Sequence, residues 1–357
     1  MLAWWPRAPV AAPPAVADRP EEPPTVARPA PAASAPLASG RVAARPARPA
    51  SRPLRSSDAA RDCGLEFPAA ATPASEPGSV PGAQRTAPGT RQLAARRRID
   101  AALGASAEPF DRALGLWLDL RDDDDRTAVA QRLAVLAQAS ADARLYGLAL
   151  RSCWQREGEA CARLSARRWA ELDPGNGVPW LYLLDEARRA DDASAGAEAL
   201  AHLAGASRFD ERDAAAVPVL VAAAGGLGDA APLVELSVQA IGRSASMGVP
   251  YMSLADLCRD GADDDANLAQ ACHAVAARIA ARSDTVTARF IAAGIDHNVT
   301  GDTALRDRRR AELTGLMLRA PVTAPASCPA ARAELRLLLR QAEIGEVDAL
   351  REVAGAG

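Results

Sequence analysis

The sequence contains no lysine, so all 42 of its basic residues are arginine. Aromatic residues make up only 4% of the chain. A core with so few aromatic side chains has to be built from alanine, leucine, valine and isoleucine, and alanine is the strongest helix former. No stretch keeps the period-two alternation that is typical of a strand. These shortages exclude a β-rich fold and predict an all-α protein. The arginine, alanine and proline bias also indicates a GC-rich bacterial genome.

Motifs for catalysis and metal binding are missing as well. The only histidines are His202, His273 and His297, and none belongs to H-E-x-x-H or to another pair at metal-ligand spacing. No G-x-S-x-G, P-loop or G-x-G-x-x-G motif occurs. The acidic runs at residues 122–125 and 263–265 lack the spaced ligands of a calcium loop, so they favour helix-start charge. We predict no catalytic residue, no metal site and no cofactor.

No C-x-x-C motif occurs either, which argues against zinc ribbons and thioredoxin-type redox sites. The cysteines are Cys63, Cys153, Cys161, Cys258, Cys272 and Cys328. Cys153 and Cys161 flank a polar turn, as do Cys258 and Cys272, so each pair lies on the two arms of one hairpin. A continuous helix would hold Cys153 and Cys161 about 12 Å apart, too far for a disulfide. We predict two disulfides and an oxidising compartment such as the periplasm. Buried free thiols are the alternative.

The sequence has no apolar run long enough to cross a bilayer. It begins Met-Leu-Ala-Trp-Trp-Pro-Arg, and paired tryptophans of this kind are found at membrane interfaces. The basic and apolar regions of a signal peptide are missing. One explanation is an ordinary cytoplasmic start. The other, which we favour, is an assigned start that lies downstream of the true one and removes a membrane anchor upstream of Met1.

Residues 1–90 contain 18 of the 27 prolines and few large apolar residues. Such a segment cannot bury enough apolar surface to offset its ordering entropy, so we predict a long disordered tail or tether. Residues 1–99 carry 14 arginines against 7 acidic residues, whereas residues 100–357 carry 28 against 38. Residues 41–55 are the most basic stretch, but no aromatic residue lies among the arginines to stack on bases. The sequence therefore favours a solvated tether over contact with nucleic acid.

Helical periodicity begins at about Gln92. Its clearest interruption is Asp-Pro-Gly-Asn at residues 173–176, where Pro174 cannot continue a helix. Gly175 and Asn176 suit a left-handed turn, and Pro179 suits the first turn of the next helix. Later breaks contain Asp229, Asp265 and Asp302, which we predict to be helix N-caps.

These breaks recur at a nearly constant spacing. Tyr146, Trp180, Val217 and Tyr251 occupy equivalent places in the first helix of successive hairpins, 34, 37 and 34 residues apart. Paired helices with a 34-residue period resemble tetratricopeptide repeats. The resemblance is closest at residues 172–176 followed by Trp180, extends well over residues 143–212 and is loose over residues 213–300. It implies a right-handed solenoid that binds proteins or peptides in a concave groove. A non-repetitive helical bundle is the alternative.

The resemblance also suggests which residues line that groove: Tyr146, Trp180, Tyr182, Asp185 and Glu186. We predict three parts: a tail at 1–90, a helical-hairpin domain at 91–320, and a linker with a capping helix at 321–357. The capping helix is expected to run without a break from Ala330 to Val353.

The function that we expect is a non-enzymatic protein- or peptide-binding module, tethered to the bacterial inner membrane and facing the periplasm. One alternative is a cytoplasmic regulator whose arginine-rich tail binds nucleic acid. A less favoured alternative is a hydrolase or transferase in which Glu171, Asp173, Asp185 and Glu186 form an acidic site.

Overall fold

The structure is a computed structural model that describes residues 90–118, 123–154, 156, 158–262, 264–319 and 327–355. All of them belong to one compact unit, Arg55–Gly357. The predicted tail, its arginine-rich stretch and the tryptophan pair lie outside the described residues. Within the described ranges the chain is helical, and the only β-type pairings there are two isolated bridges. The predicted all-α class is therefore confirmed.

The helices, numbered in chain order, are α1 (Thr90–Ala105), α2 (Pro109–Leu118), α3 (Asp123–Gln138), α4 (Ala143–Cys153), α5 (Glu159–Ala162), α6 (Ala166–Leu172), α7 (Val178–Arg189), α8 (Ala193–Gly205), α9 (Ala216–Ala223), α10 (Ala230–Ser246), α11 (Tyr251–Gly261), α12 (Ala266–Arg282), α13 (Val286–Thr300), α14 (Thr303–Arg319), α15 (Cys328–Ile344) and α16 (Glu346–Gly355).

Side-chain caps start several of these helices. The Asp265 carboxylate accepts hydrogen bonds from the amides of Asn267 and Leu268, so its predicted role as an N-cap is confirmed. Asp302 likewise accepts from an amide in the first turn of α14. Asp229 precedes α10 as predicted, but its carboxylate makes no cap bond and pairs with Arg98 of α1 instead.

The hairpins pack in an order that differs from their order along the chain. Helices α7 and α8 pack against each other, and this pair packs against α11 and α12. The intervening hairpin, α9–α10, packs against α1 and α15. Helix α10 buries Leu233, Val234 and Leu236, an apolar face broad enough for two neighbours. Sequence spacing marks where hairpins begin, but it does not determine which hairpins become neighbours.

The carboxy-terminal prediction of one continuous helix is wrong. The chain breaks at Gly345, between α15 and α16, where φ is +87°. A Cβ atom at this position would lie 3.0 Å from the Cβ of Asp284. The apolar spacing continues across the break, so periodicity alone could not reveal it.

None of the helices in the described ranges combines the length and the apolar character that a membrane span requires.

Candidate functional site

Four non-helical segments that separate helices lie side by side. We name them junction A (residues 173–177), junction B (residues 206–215), junction C (residues 283–285) and junction D (Gly345). Junctions A and B are joined by Gly177, whose N–H donates to the carbonyl of Arg208 at 2.8 Å. A Cβ atom on Gly177 would collide with the Phe209 ring, so glycine is required for this close approach.

Backbone hydrogen bonds continue the series beyond junction B. The Phe209 N–H donates to the carbonyl of Arg282 at 3.1 Å, and the Asp284 N–H donates to the carbonyl of Phe209 at 3.0 Å. The Val347 N–H, just beyond junction D, donates to the carbonyl of Asp284 at 3.3 Å. Junctions A to D therefore form one hydrogen-bonded ladder.

Side chains of the Asp-Pro-Gly-Asn turn connect junction A to junction B. The fully buried Asn176 donates from its amide nitrogen to Asp173 and to the carbonyl of Asp210, both at 3.0 Å. Its amide oxygen accepts from the N–H groups of Val178 and Asp210. Asp173 also pairs with Arg208 and with Arg212. These residues tie two segments together instead of only turning the chain.

The predicted left-handed conformation in this turn is wrong. Neither Gly175 nor Asn176 has a positive φ; among the described non-glycine residues only Asp191 and Arg212 have one. The Asn176 side chain closes the turn through its hydrogen bonds, so the backbone need not adopt a left-handed conformation. A Cβ atom at position 175 would lie 2.7 Å from both Ser207 Oγ and a guanidinium nitrogen of Arg208, so a larger residue does not fit there.

Glu211 of junction B is the centre of a second, more acidic cluster. Its Oε1 accepts from the Thr285 hydroxyl at 2.7 Å and from the Tyr251 hydroxyl at 3.1 Å. Its backbone N–H donates to both carboxylate oxygens of Asp284, at 3.1 and 3.2 Å. Junction B, α11 and junction C therefore meet at this one residue.

Arg151 of α4 holds junction B from the other side. Its guanidinium donates to the carbonyl of Glu211 at 2.7 Å, to Asp213 at 3.0 Å and to the carbonyl of Ser244 at 2.6 Å. The residue is buried, and Asp213 also accepts from the Ser244 hydroxyl. A buried arginine that is bonded in this way fixes the position of the segment.

Burial and neighbouring negative charges raise the pKa values of the acidic residues in this cluster. Burial raises the pKa of Glu211 to about 7, with a further contribution from Asp213. Burial also raises the pKa of Asp284 well above its usual value, and the neighbouring Asp210 and Glu211 add to the shift. The pKa of Glu346, beside junction D, is raised by burial. These carboxyl groups thus hold protons more tightly than exposed acids do.

The ladder lies along a cleft of about 780 Å³. Its walls come from junctions B, C and D and from the ends of the helices that they join. Polar groups of both charges line it: Arg144, Arg208, Asp210, Glu211, Arg212, Asp213, Arg282, Asp284, Arg289, Glu343, Glu346 and Asp348. This cleft is the candidate functional site.

The predicted groove residues do not form one surface. Tyr146 is buried in α4, and its hydroxyl accepts from the Ser165 N–H at 3.2 Å. Tyr182 is fully buried in α7, and its hydroxyl donates to the carbonyl of Gly248 at 2.8 Å. Both tyrosines contribute to packing and to interhelical hydrogen bonds.

The other three predicted groove residues have separate surroundings. The Trp180 ring stacks on His202 with the ring centroids 3.6 Å apart. Asp185 is buried, accepts from the Ser253 hydroxyl and pairs with Arg189. Glu186 is exposed.

Three of the residues considered for an acidic catalytic site pair with arginines, Glu171 with Arg168 among them. Asp173 is occupied by Arg208 and Arg212, and Asp185 by Arg189. In the described part of the chain, no group of histidine, cysteine and acidic residues could hold a metal ion.

Both predicted cysteine pairs are at disulfide-bonding distance. The Sγ atoms of Cys153 and Cys161 are 1.97 Å apart, and those of Cys258 and Cys272 are 2.04 Å apart. The first pair joins α4 to α5, and the second joins α11 to α12. Both therefore lie within hairpins, away from the ladder.

Sequence reasoning missed Arg151, Glu211, Tyr251 and Asp284 as site residues. The only available signal was the density of charge in two helix breaks, Phe-Asp-Glu-Arg-Asp at residues 209–213 and Ser-Asp-Thr at residues 283–285. Both runs are ordinary for solvated turns or helix caps, so their convergence could not be read from either one alone.

Comparison with protein families, with curated proteins and with solved structures finds no match for this chain. The resemblance to tetratricopeptide repeats rests on its residues alone and stays a prediction.

Proposed function

We propose that this protein is a helical-hairpin module that binds a peptide segment of a partner protein in the cleft beside the junction ladder. The cleft is the observation that carries the proposal. Its volume of about 780 Å³ lies within the range of about 300–1,000 Å³ that is common for ligand sites. The cleft also runs past several non-helical segments, which suits an extended peptide better than a compact ligand.

The charge of the cleft supports a partner with basic side chains. Glu211, Asp284 and Glu346 accept hydrogen bonds from uncharged hydroxyl or amide groups. In contrast, Arg208 and Arg212 are already bound to an acidic partner, Asp173. The cleft lining as a whole contains more acidic residues than arginines, and two of its arginines are already paired.

The disulfide pairs support action outside the cytosol. Two pairs within hairpins are typical of proteins that fold in an oxidising compartment, and in a bacterium that compartment is the periplasm. A location in the periplasm, with or without a membrane anchor, remains part of the proposal.

Peptide selection tests the proposal directly. A random phage-displayed peptide library would be selected on the immobilised, oxidised full-length chain, and selected peptides would be measured by calorimetry. We expect peptides enriched in arginine and lysine. The double variant Glu343→Gln/Asp348→Asn, which removes the charge of two exposed acidic residues in the cleft lining, should weaken their binding at least tenfold, or by about 1.4 kcal/mol.

Glu198→Gln is the matched control. Glu198 is an exposed glutamate that pairs with Arg167, and it lies outside the cleft lining. This variant should bind selected peptides as tightly as the wild type does. Failure to select any peptide, or equal affinity in the cleft variant, would contradict the proposal.

A further inference from the structure

Building on the proposed function, we infer that the cleft selects peptides by a branched aliphatic side chain that lies within a few residues of a basic one. Four aliphatic residues line the cleft among its charged groups: Ile241, Val249, Ile291 and Ile344. Each of them is half-buried. Apolar surface that is left partly open to water in a cleft gains free energy when an apolar group of a ligand covers it.

These aliphatic residues come from two separate helix pairs. Ile241 of α10 and Ile344 at the end of α15 belong to helices that pack against each other. Ile291 belongs to α13, and Val249 belongs to the segment that leads into α11, which packs against α13. Because both pairs line the same cleft, a segment bound there meets aliphatic groups that are far apart in the chain.

Aromatic side chains add little to the accessible apolar surface of the cleft. Of the aromatic residues in the described ranges, only Phe209 and Tyr251 line it. Phe209 is fully buried, and Tyr251 is buried with its hydroxyl donating to Glu211. A ligand group that depends on an open ring face, such as another aromatic ring or a stacked guanidinium, finds no such face here. The complementary anchor is therefore leucine, isoleucine or valine.

Acidic residues lie close to one end of this aliphatic surface. Glu343 directly precedes Ile344, Asp348 follows it four residues later, and both acids are exposed in the cleft lining. Their partners, Arg340 and Arg351, are themselves partly exposed. Exposed ion pairs of this kind contribute little free energy, so a basic side chain of a ligand can compete for the carboxylates. The basic residue of the peptide should therefore lie near its aliphatic anchor.

The sequences of selected peptides give the first test. Peptides would be selected from the random phage-displayed library on the oxidised full-length chain and aligned on their basic residues. We expect leucine, isoleucine or valine at a constant distance from arginine or lysine. Replacing that aliphatic residue by alanine in a synthetic peptide should weaken binding, measured by calorimetry, by about tenfold or more.

Variants of the cleft give the second test. The quantity measured is the ratio of affinities between a selected peptide and its alanine analogue. In Val249→Ala/Ile291→Ala this ratio should fall from about tenfold to about threefold or less, because the anchor loses its aliphatic contacts. Val135→Ala is the matched control, since Val135 is an exposed valine of α3 outside the cleft lining, and it should leave the ratio unchanged. If the double variant fails to fold, Val249→Ala alone, outside any helix, should lower the ratio in the same direction.

The outcomes separate the aliphatic anchor from peptide binding itself. Selected peptides that bind equally well with alanine at every aliphatic position would overturn the anchor and leave the proposed function standing. The same conclusion follows if Val249→Ala/Ile291→Ala keeps the wild-type ratio while Glu343→Gln/Asp348→Asn weakens binding. A library that yields no binding peptide would contradict the proposed function and the anchor together.

Discussion

The breaks inside hairpins and the junctions between hairpins use the same residue types in different ways. Inside a hairpin, Asp192 and Asp265 each bond to amides within three residues of themselves. In the junctions, Asn176 reaches junction B, 34 residues away, and Glu211 reaches Thr285, 74 residues away. A polar residue in a break can therefore define one turn or join distant parts of the fold. Sequence composition alone does not distinguish these roles.

The largest effect that we expect comes from Asn176→Ala. The variant removes four hydrogen bonds, among them those to the backbone groups of Asp210 and Val178. The free energy of unfolding should fall by about 3–4 kcal/mol, measured by denaturant titration of the oxidised protein. Asp192→Ala, which removes one helix cap, should cost only about 1 kcal/mol. Equal losses of unfolding free energy for the two variants would show that a junction residue contributes no more to stability than a helix cap inside a hairpin.

The disulfide inside α11–α12 should have the next largest effect. Cys258→Ser/Cys272→Ser opens a covalent loop with a sequence separation of 14, which should cost about 3 kcal/mol. Calorimetry should show a lower melting temperature for the variant, and mass spectrometry should find no labelled thiols at these positions in the native wild type. A wild-type protein that labels readily at both cysteines, or melts at the same temperature with and without reductant, would contradict the covalent pairing.

Gly345→Ala compares a junction glycine with a helical one. The positive φ of Gly345 and the closeness of Asp284 should make an added methyl group cost about 1–2 kcal/mol. Gly205→Ala, at the end of α8 with open space around it, should be neutral or stabilise by about 0.5 kcal/mol. Denaturation midpoints of the two variants, measured side by side, would check the difference. An unchanged midpoint for Gly345→Ala would mean that junction D can rearrange to accept a methyl group.

The smallest effect that we expect is the difference in stability loss between variants of two aspartates that precede helices. Asp265→Ala should cost about 1 kcal/mol, because two amides of α12 lose their acceptor. Asp229→Ala should cost less, about 0.5 kcal/mol, because its side chain forms a partly exposed ion pair with Arg98 and no cap. Thermal unfolding of both variants at low and high salt would test this, since only the Asp229 effect should decrease in salt.

Local features of the fold were predictable from sequence. The helical class followed from alanine content and apolar spacing, and the start of α12 followed from Asp265. The pairing of Cys258 with Cys272 followed from their places on two arms of a hairpin. Each of these inferences needs only residues that are close together in the chain, where backbone geometry limits the possibilities.

The ladder and its cleft were not predictable in the same way. Arg151 bonds to groups 60, 62 and 93 residues away. Its position in the last turn of α4 gives no hint of those partners. The resemblance to tetratricopeptide repeats placed Tyr182 in a groove, but its hydroxyl donates to the carbonyl of Gly248 inside the fold. Long-range pairing depends on which hairpins become neighbours, and local periodicity does not encode that choice.

The contact of α1 with the α9–α10 hairpin has a consequence for how the protein is made. Arg98 and Asp229, which pair across this contact, are 131 residues apart. During synthesis or export from the amino end, α1 must wait for most of the domain to emerge before this contact can form. Ala95, Ile99 and Leu103 of α1 are buried in the complete fold. Until α9 and α10 emerge, these side chains lack the contacts with that hairpin. A nascent chain that stops short of α9 therefore leaves part of the apolar face of α1 open to chaperones and proteases.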